Sequence, residues 1–141
     1  MGAKIKGAGS SQIEIEGVKQ LKDVSYNIMS DRIEAGTFLC IAAMNHSNII
    51  VKNIDEDHII PIIDKLEEAG CELQIEDRQI QIKAPKKLKS VNIKTMPYPG
   101  FPTDMQSIFA TLLTTAKGSS IIVENIFENR YKYTQELIRM G

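Results

Sequence analysis

The residues best placed to do chemistry stand around Met96-Pro97-Tyr98-Pro99-Gly100-Phe101-Pro102-Thr103-Asp104-Met105-Gln106. Proline fixes φ and pushes the residue before it out of the helical region, so three prolines within six positions make a stiff, extended approach. A helix is expected to begin at Thr103 or Asp104, because Met105, Ile108, Phe109, Leu112 and Leu113 then recur at helical spacing, with Gly118 as its stop. The result is a carboxylate in the first turn of a helix, delivered by a rigid loop. One role for Asp104 is to cap that helix and complement its positive end. The other is to serve as a fixed base, since loops on rigid scaffolds carry chemistry disproportionately. Other chemistry-bearing residues are scattered. Cys40 lies in an apolar helical pattern and Cys71 opens a strand, which reads as two buried thiols rather than a disulfide or a nucleophile. His46 and His58 stand apart, so no metal-ligand cluster and no cofactor is indicated. Lys83, Lys86, Lys87 and Lys89 read as a solvated basic run.

The elements that must hold Asp104 follow from periodicity. Residues 3–6 and 12–16 alternate around Gly7-Ala8-Gly9-Ser10-Ser11, a β-hairpin whose glycines match neither nucleotide-binding fingerprint. Residues 17–30 keep no clean period and read as a connection with room for a short strand. Asp31 starts a helix, with Glu34 in capping-box spacing and Ile33, Phe38, Leu39, Ala42 and Ala43 as its buried stripe. Ile49-Ile50-Val51 with Ile54 reads as a buried strand, and residues 58–69 as a helix with Pro61 in its first turn and Gly70 just beyond its end. Residues 72–76 and 79–83 form a hairpin across Asp77-Arg78, residues 91–95 a strand leading into the proline loop, residues 119–123 a strand, and residues 129–140 a helix.

Val51-Lys52-Asn53-Ile54 returns as Val123-Glu124-Asn125-Ile126 at a shift of 72 residues, Asp31 as Asp104 at 73 and Gly70 as Gly141 at 71. The chain therefore holds an internal repeat with the order βαβαββ, an α/β layer packing. The second copy stops before its two-strand hairpin, and the expectation is a fragment of a larger protein. At 141 residues, with 43% hydrophobic and 25% charged residues, the composition is that of a soluble globular domain. A net charge of −1 gives no electrostatic case for nucleic acid or an anionic membrane. No apolar run approaches the ~20 residues that span a bilayer, and no signal-peptide core is visible, so a cytoplasmic location is the default expectation.

The proline loop resembles the signature of the UDP-N-acetylglucosamine enolpyruvyl transferases. The likeness extends from Gly2-Ala3-Lys4-Ile5-Lys6-Gly7, through Asp31-Arg32-Ile33-Glu34-Ala35-Gly36-Thr37-Phe38, to Phe127-Glu128-Asn129-Arg130 in family order. The resemblance implies a two-domain enzyme about three times longer, each domain an inside-out α/β barrel of βαβαββ repeats with helices turned inward. On that comparison residues 1–20 are the end of the other domain and a crossover, and residues 21–141 a partial domain with one repeat near 24–84 and a truncated one near 90–141. The implied reaction moves the enolpyruvyl group of phosphoenolpyruvate to the 3′-hydroxyl of UDP-N-acetylglucosamine, the first committed step of peptidoglycan synthesis. Asp104 then matches the base that accepts the sugar hydroxyl's proton. The positive end of a helix favours the ionised carboxylate but weakens it as a base, so geometry must supply the rest. Thr103 matches a neighbour that hydrogen-bonds the sugar, and Ile126 a main-chain contact to it. Arg130 either faces the diphosphate, pairs with a carboxylate, or is solvated. Arg32 and Glu34 read as structural, or as supports of the interdomain cleft. The family's phosphoenolpyruvate-binding Lys and Arg residues and its general acid match nothing in this chain, which alone is expected to be inactive.

Three other readings bear on the same residues. A transferase acting on shikimate 3-phosphate shares the fold and chemistry, although Phe101-Pro102-Thr103-Asp104-Met105-Gln106 with Phe127-Glu128-Asn129-Arg130 fits the nucleotide-sugar branch better. A non-catalytic repeat module would expose an apolar face where strands are missing. An RNA-processing enzyme on similar repeats would need a basic, aromatic-interleaved surface that the sequence lacks.

Overall fold

A computed structural model describes all of residues 1–141. The chain opens with a hairpin of β1 (Lys4–Lys6) and β2 (Glu14–Glu16), antiparallel and wholly exposed, with Ile5 opposite Ile15. Its turn needs glycine at position 7, where φ is +72° and a Cβ would lie 2.3 Å from the Gln12 carbonyl oxygen. Residues 17–30 form no strand, so the first repeat lacks its leading strand here. Helix α1 (Arg32–Met44) is capped by Asp31, whose Oδ1 accepts from the amides of Ile33 at 2.7 Å and Glu34 at 3.3 Å. Glu34 makes no reciprocal bond, so the expected capping box is half formed. The buried face of α1 is Ala35, Gly36, Leu39, Cys40, Ala42 and Ala43. Phe38, expected inside, is 50% exposed, because the stripe runs one position further round the helix through Cys40.

Strand β3 (Asn48–Lys52) alternates half-buried and exposed instead of being buried throughout, with Ile50 on the outer face. Its partner β5 (Gln79–Lys83) is central in a three-stranded antiparallel sheet completed by β4 (Glu72–Glu76). The glycine-free β4–β5 turn places both Asp77 (φ 47°) and Arg78 (φ 58°) in the left-handed region, the conformation of a type I′ turn. Between β3 and β4, a 3₁₀ turn (Glu56–His58) leads into α2 (Ile60–Glu68), with Pro61 in the first turn and Gly70 at φ +101° after the last.

The second repeat contributes a parallel β-α-β unit. Strand β6 (Ile93–Lys94) pairs with β7 (Ile122–Val123) in parallel, and the connection carries a 3₁₀ turn (Thr103–Met105) and α3 (Gln106–Leu113). Helix α3 ends at Leu113, before Gly118. The Thr114 and Thr115 hydroxyls bond back to the carbonyls of Thr111 at 2.7 Å and Leu112 at 2.8 Å, and the backbone tightens into turns. Helix α4 (Tyr133–Arg139) closes the chain and buries no residue.

One core of 22 residues joins both repeats. Helices α1 and α3 pack against each other at its centre, and Gly36 leaves room on α1 for the side chains of Ile62 from α2 and Met105 from the 3₁₀ turn, since a Cβ there would sit 3.0 Å from Ile62 Cδ1 and from Met105 Sδ. The three sheets stay separate and none closes, so the α/β layering is present without the closed barrel. Both cysteines are buried and free, and burial, with the neighbouring Cys71 adding to it, pushes the Cys40 thiol up to about 12. Burial pushes Cys71 up to about 11. No helix is long and apolar enough to cross a membrane.

Candidate functional site

The proline loop is anchored at both ends of its turn. Met96 N–H donates to the Phe101 carbonyl at 3.0 Å and Gly100 N–H to that of Pro97 at 2.8 Å. Gly100 is required there, because a Cβ would lie 2.5 Å from that of Met96. The Tyr98–Pro99 peptide is cis. Phe101 drives into the core and meets Phe109 edge-on at 5.4 Å, which fixes the loop to α3. Tyr98 instead stays outside, with the Arg32 guanidinium over its ring at 5.9 Å and His58 at its edge at 6.4 Å.

Asp104 does not cap a helix. The first turn begins at Pro102, whose carbonyl accepts from Met105 N–H at 3.0 Å, and no side chain caps it. The Asp104 carboxylate is exposed, its Oδ1 takes a 2.8 Å bond from Arg130, and its Oδ2 takes none. Arg130 thus realises the carboxylate-pairing role among those open to it. Its second arm donates to Thr103 Oγ1 at 3.1 Å, and it stacks over Phe127 at 5.2 Å.

Glu124, which the sequence reading passed over, ties these parts together. Its Oε2 accepts from Thr103 Oγ1 at 2.8 Å. Its Oε1 accepts from Thr95 Oγ1 at 2.8 Å and from the amides of Ile126 at 2.7 Å and Phe127 at 3.1 Å. Partial burial pushes this carboxyl up, but the bonds from Ile126, Thr103, Thr95 and Phe127 outweigh it and hold the group below its usual range. Three donors converge on Oε1 and one on Oε2, and Glu124 lines no part of the cavity that Thr103, Asp104 and Ile126 share, so it is not placed to act there as a base. The only local signal for it was the exchange of Lys52 for Glu124 between otherwise matching repeat segments.

Thr103, Asp104 and Ile126 line one shallow cavity of about 130 Å³ together with Arg32 and the proline loop. Glu34 and both cysteines lie outside it. A hydroxyl has one donor, and that of Thr103 is given to Glu124, so toward the cavity Thr103 only accepts. Ile126 has likewise given its N–H to Glu124, leaving its carbonyl without a partner. With Asp104 Oδ2, the residues on this cavity hold three acceptor oxygens that each keep an unused lone pair, a set suited to a ligand rich in hydroxyl and amide donors. Gln106, the first residue of α3, is fully buried with neither amide atom paired.

A family model described as EPSP synthase (3-phosphoshikimate 1-carboxyvinyltransferase) matches residues 1–141. The chain belongs to the EPSP synthase family. Within this family it is 50% identical over 141 residues to UDP-N-acetylglucosamine 1-carboxyvinyltransferase 1 of Caldanaerobacter subterraneus subsp. tengcongensis, covering all of this chain and 34% of the relative. The enzyme named UDP-N-acetylglucosamine 1-carboxyvinyltransferase in Geotalea daltonii is similar to the same degree, 50% over 141 residues and 34% of its length. The chain thus spans about a third of the length of these curated relatives. Its fold is that of the enolpyruvyl transferase NikO from Streptomyces tendae, with a TM-score of 0.80 at 23% identity over 99% of this chain and 34% of that one.

Proposed function

We propose that this chain forms the sugar-binding third of an enzyme that transfers the enolpyruvyl group of phosphoenolpyruvate to the 3′-hydroxyl of UDP-N-acetylglucosamine, releasing phosphate. The observation that carries this reading is the row of acceptor residues on one cavity: Asp104 Oδ2 and the Ile126 carbonyl have no partner, and Thr103 Oγ1 accepts from Arg130 and keeps one lone pair. An N-acetylated sugar presents several hydroxyls and an amide N–H to such a row. Asp104 accepts the proton of the attacking hydroxyl through Oδ2, while Arg130 holds Oδ1 and fixes the carboxylate plane. The names of the relatives at 50% identity favour the nucleotide sugar over shikimate 3-phosphate, although the family model carries the latter's name. Peptidoglycan synthesis in the cytoplasm, and through it cell shape and division, is the setting this reaction implies. The reaction calls for no cofactor or metal. Neither a general acid nor a phosphoenolpyruvate pocket is assigned to these residues, so the 141-residue chain alone should release no phosphate.

The test uses a chimera in which residues 1–141 replace the matching third of the Caldanaerobacter relative. With both substrates it should release phosphate, and Asp104→Ala should lower kcat by ~10²-fold or more, the scale of a positioned base. Near-normal turnover of that variant would overturn the role of Asp104. Turnover with shikimate 3-phosphate in place of UDP-N-acetylglucosamine would overturn the choice of substrate.

A further inference from the structure

We infer that Glu124 is a positioning residue that sets the hydrogen-bond polarity of the sugar pocket. It takes the proton of the Thr103 hydroxyl, so that Thr103 faces the substrate as an acceptor, and it holds the Ile126 turn through that residue's N–H. The inference rests on the reading of this cavity as the sugar site and goes beyond it, because Glu124 does not line the cavity at all. Three separate pieces of chain converge on its carboxylate: Thr95 at the end of β6, Thr103 at the start of the 3₁₀ turn, and the Ile126–Phe127 turn after β7. Each piece is held elsewhere in turn. Thr95 is fully buried, and its Oγ1 accepts from Asn125 N–H at 2.9 Å while its carbonyl accepts from Asn125 Nδ2 at 3.3 Å. Glu124's own amide donates to the Tyr131 hydroxyl at 2.9 Å, and that hydroxyl donates on to the Ile122 carbonyl at 3.3 Å.

The direction of each bond matters. A carboxylate only accepts, so the Thr103 proton must point at Glu124. Its remaining lone pairs then receive Arg130 and leave one for a substrate hydroxyl. A neutral side chain of the same shape breaks this logic. In Glu124→Gln the Nε2 group donates, and next to Thr103 it turns the threonine proton outward into the cavity, where it meets the substrate's own donor. Next to the amides of Ile126 and Phe127 it faces two donors. Either orientation of the amide spoils one side of the network.

Two experiments test this. In the chimera, Glu124→Gln should lower kcat/KM for UDP-N-acetylglucosamine at least tenfold and leave KM for phosphoenolpyruvate unchanged. On the Thr103→Val background its loss should be smaller than on the parent, because the two substitutions share the Thr103 hydroxyl, and fully additive losses would overturn the proposal. Wild-type kinetics in Glu124→Gln, or equal losses for both substrates, would overturn the proposal. A loss in Asp104→Ala with none in Glu124→Gln would overturn this inference and leave the reading of the site standing. The second experiment needs no turnover. In NMR spectra of the 141-residue chain, Glu124→Gln should move the resonances of Asp104 and the Arg130 guanidinium, which Glu124 does not touch, through the Thr103 hydroxyl. Changes confined to Ile126 and Phe127 would mean that Glu124 only pins its own turn.

Discussion

The two repeats place the same residue at the same point and use it differently. Asp31 and Asp104 each open the central helix of their repeat, 73 residues apart. Asp31 spends an oxygen on the amides of Ile33 and Glu34, and is a cap. Asp104 is relieved of that duty because Pro102 leads in with a 3₁₀ turn whose own backbone closes it, and its carboxylate turns to Arg130 instead. Neighbouring positions diverge in step. Where the second repeat has Glu124 and Arg130, the first has Lys52, exposed and unpaired, and His58, set against Tyr98. Where the second has buried Gln106, the first has apolar Ile33. The fold supplies two related helix starts; the amides of its own helix hold the first carboxylate, whereas a side chain from the chain beyond β7 holds the second.

Exchanging the duties of the two aspartates breaks the comparison most sharply. Asp104→Ala should cost ~10²-fold or more in kcat of the chimera and leave the melting temperature near that of the parent. Asp31→Ala should do the reverse, leaving kcat unchanged and costing ~1 kcal/mol of stability, the usual worth of an N-cap. Urea unfolding of both variants beside their kinetics decides it. If Asp31→Ala also silenced the enzyme, the helix starts would not be independent and the contrast would fail.

A smaller effect should come from making the second repeat more like the first at the start of α3. Gln106 buries an amide with no partner, which costs about 1–3 kcal/mol relative to a satisfied or apolar group. Gln106→Met keeps length and flexibility while removing the polar atoms. It should therefore raise the unfolding free energy of the 141-residue chain by roughly that 1–3 kcal/mol. A loss of stability would show that the amide finds a partner in solution.

Much of this architecture was legible because local rules decided it. The Asp31 cap, Pro61 in a first turn, Gly70 after α2 and the β4–β5 hairpin all follow from a few adjacent residues. The failures share another cause. Spacing places Phe38 in the core, yet the buried face of α1 runs through Cys40, and the choice is made by which neighbours are present. Helix α3 ends early because threonine hydroxyls compete for its last carbonyls, an effect no glycine announces. At the site, Asp104, Thr103 and Ile126 line one cavity, and Arg130 reaches the first two from 26 and 27 residues away. Glu124 escaped because its role is made by partners at positions 95, 103, 126 and 127, up to 29 residues away, and periodicity is blind to such convergence.

The pH dependence of stability offers the mildest test of the difference between Glu124 and its counterpart Lys52. Hydrogen bonds hold the Glu124 carboxyl below its ordinary value of 4.5 in the folded chain, and unfolding releases it to that value. The unfolded chain therefore binds a proton more readily than the folded one as the medium is acidified. The contribution of Glu124 is fully present above pH 4.5 and is lost as pH falls through its folded value. Its four donors then face a neutral acid that needs to place a proton among them. Glu124→Gln should accordingly flatten the acid limb of the unfolding free energy measured below pH 4.5, while Lys52→Gln, lacking any partner, should leave that limb unchanged. An acid limb equally steep in both variants would mean that other carboxyls carry it, and that the contrast between the repeats is one of geometry without a titrating component.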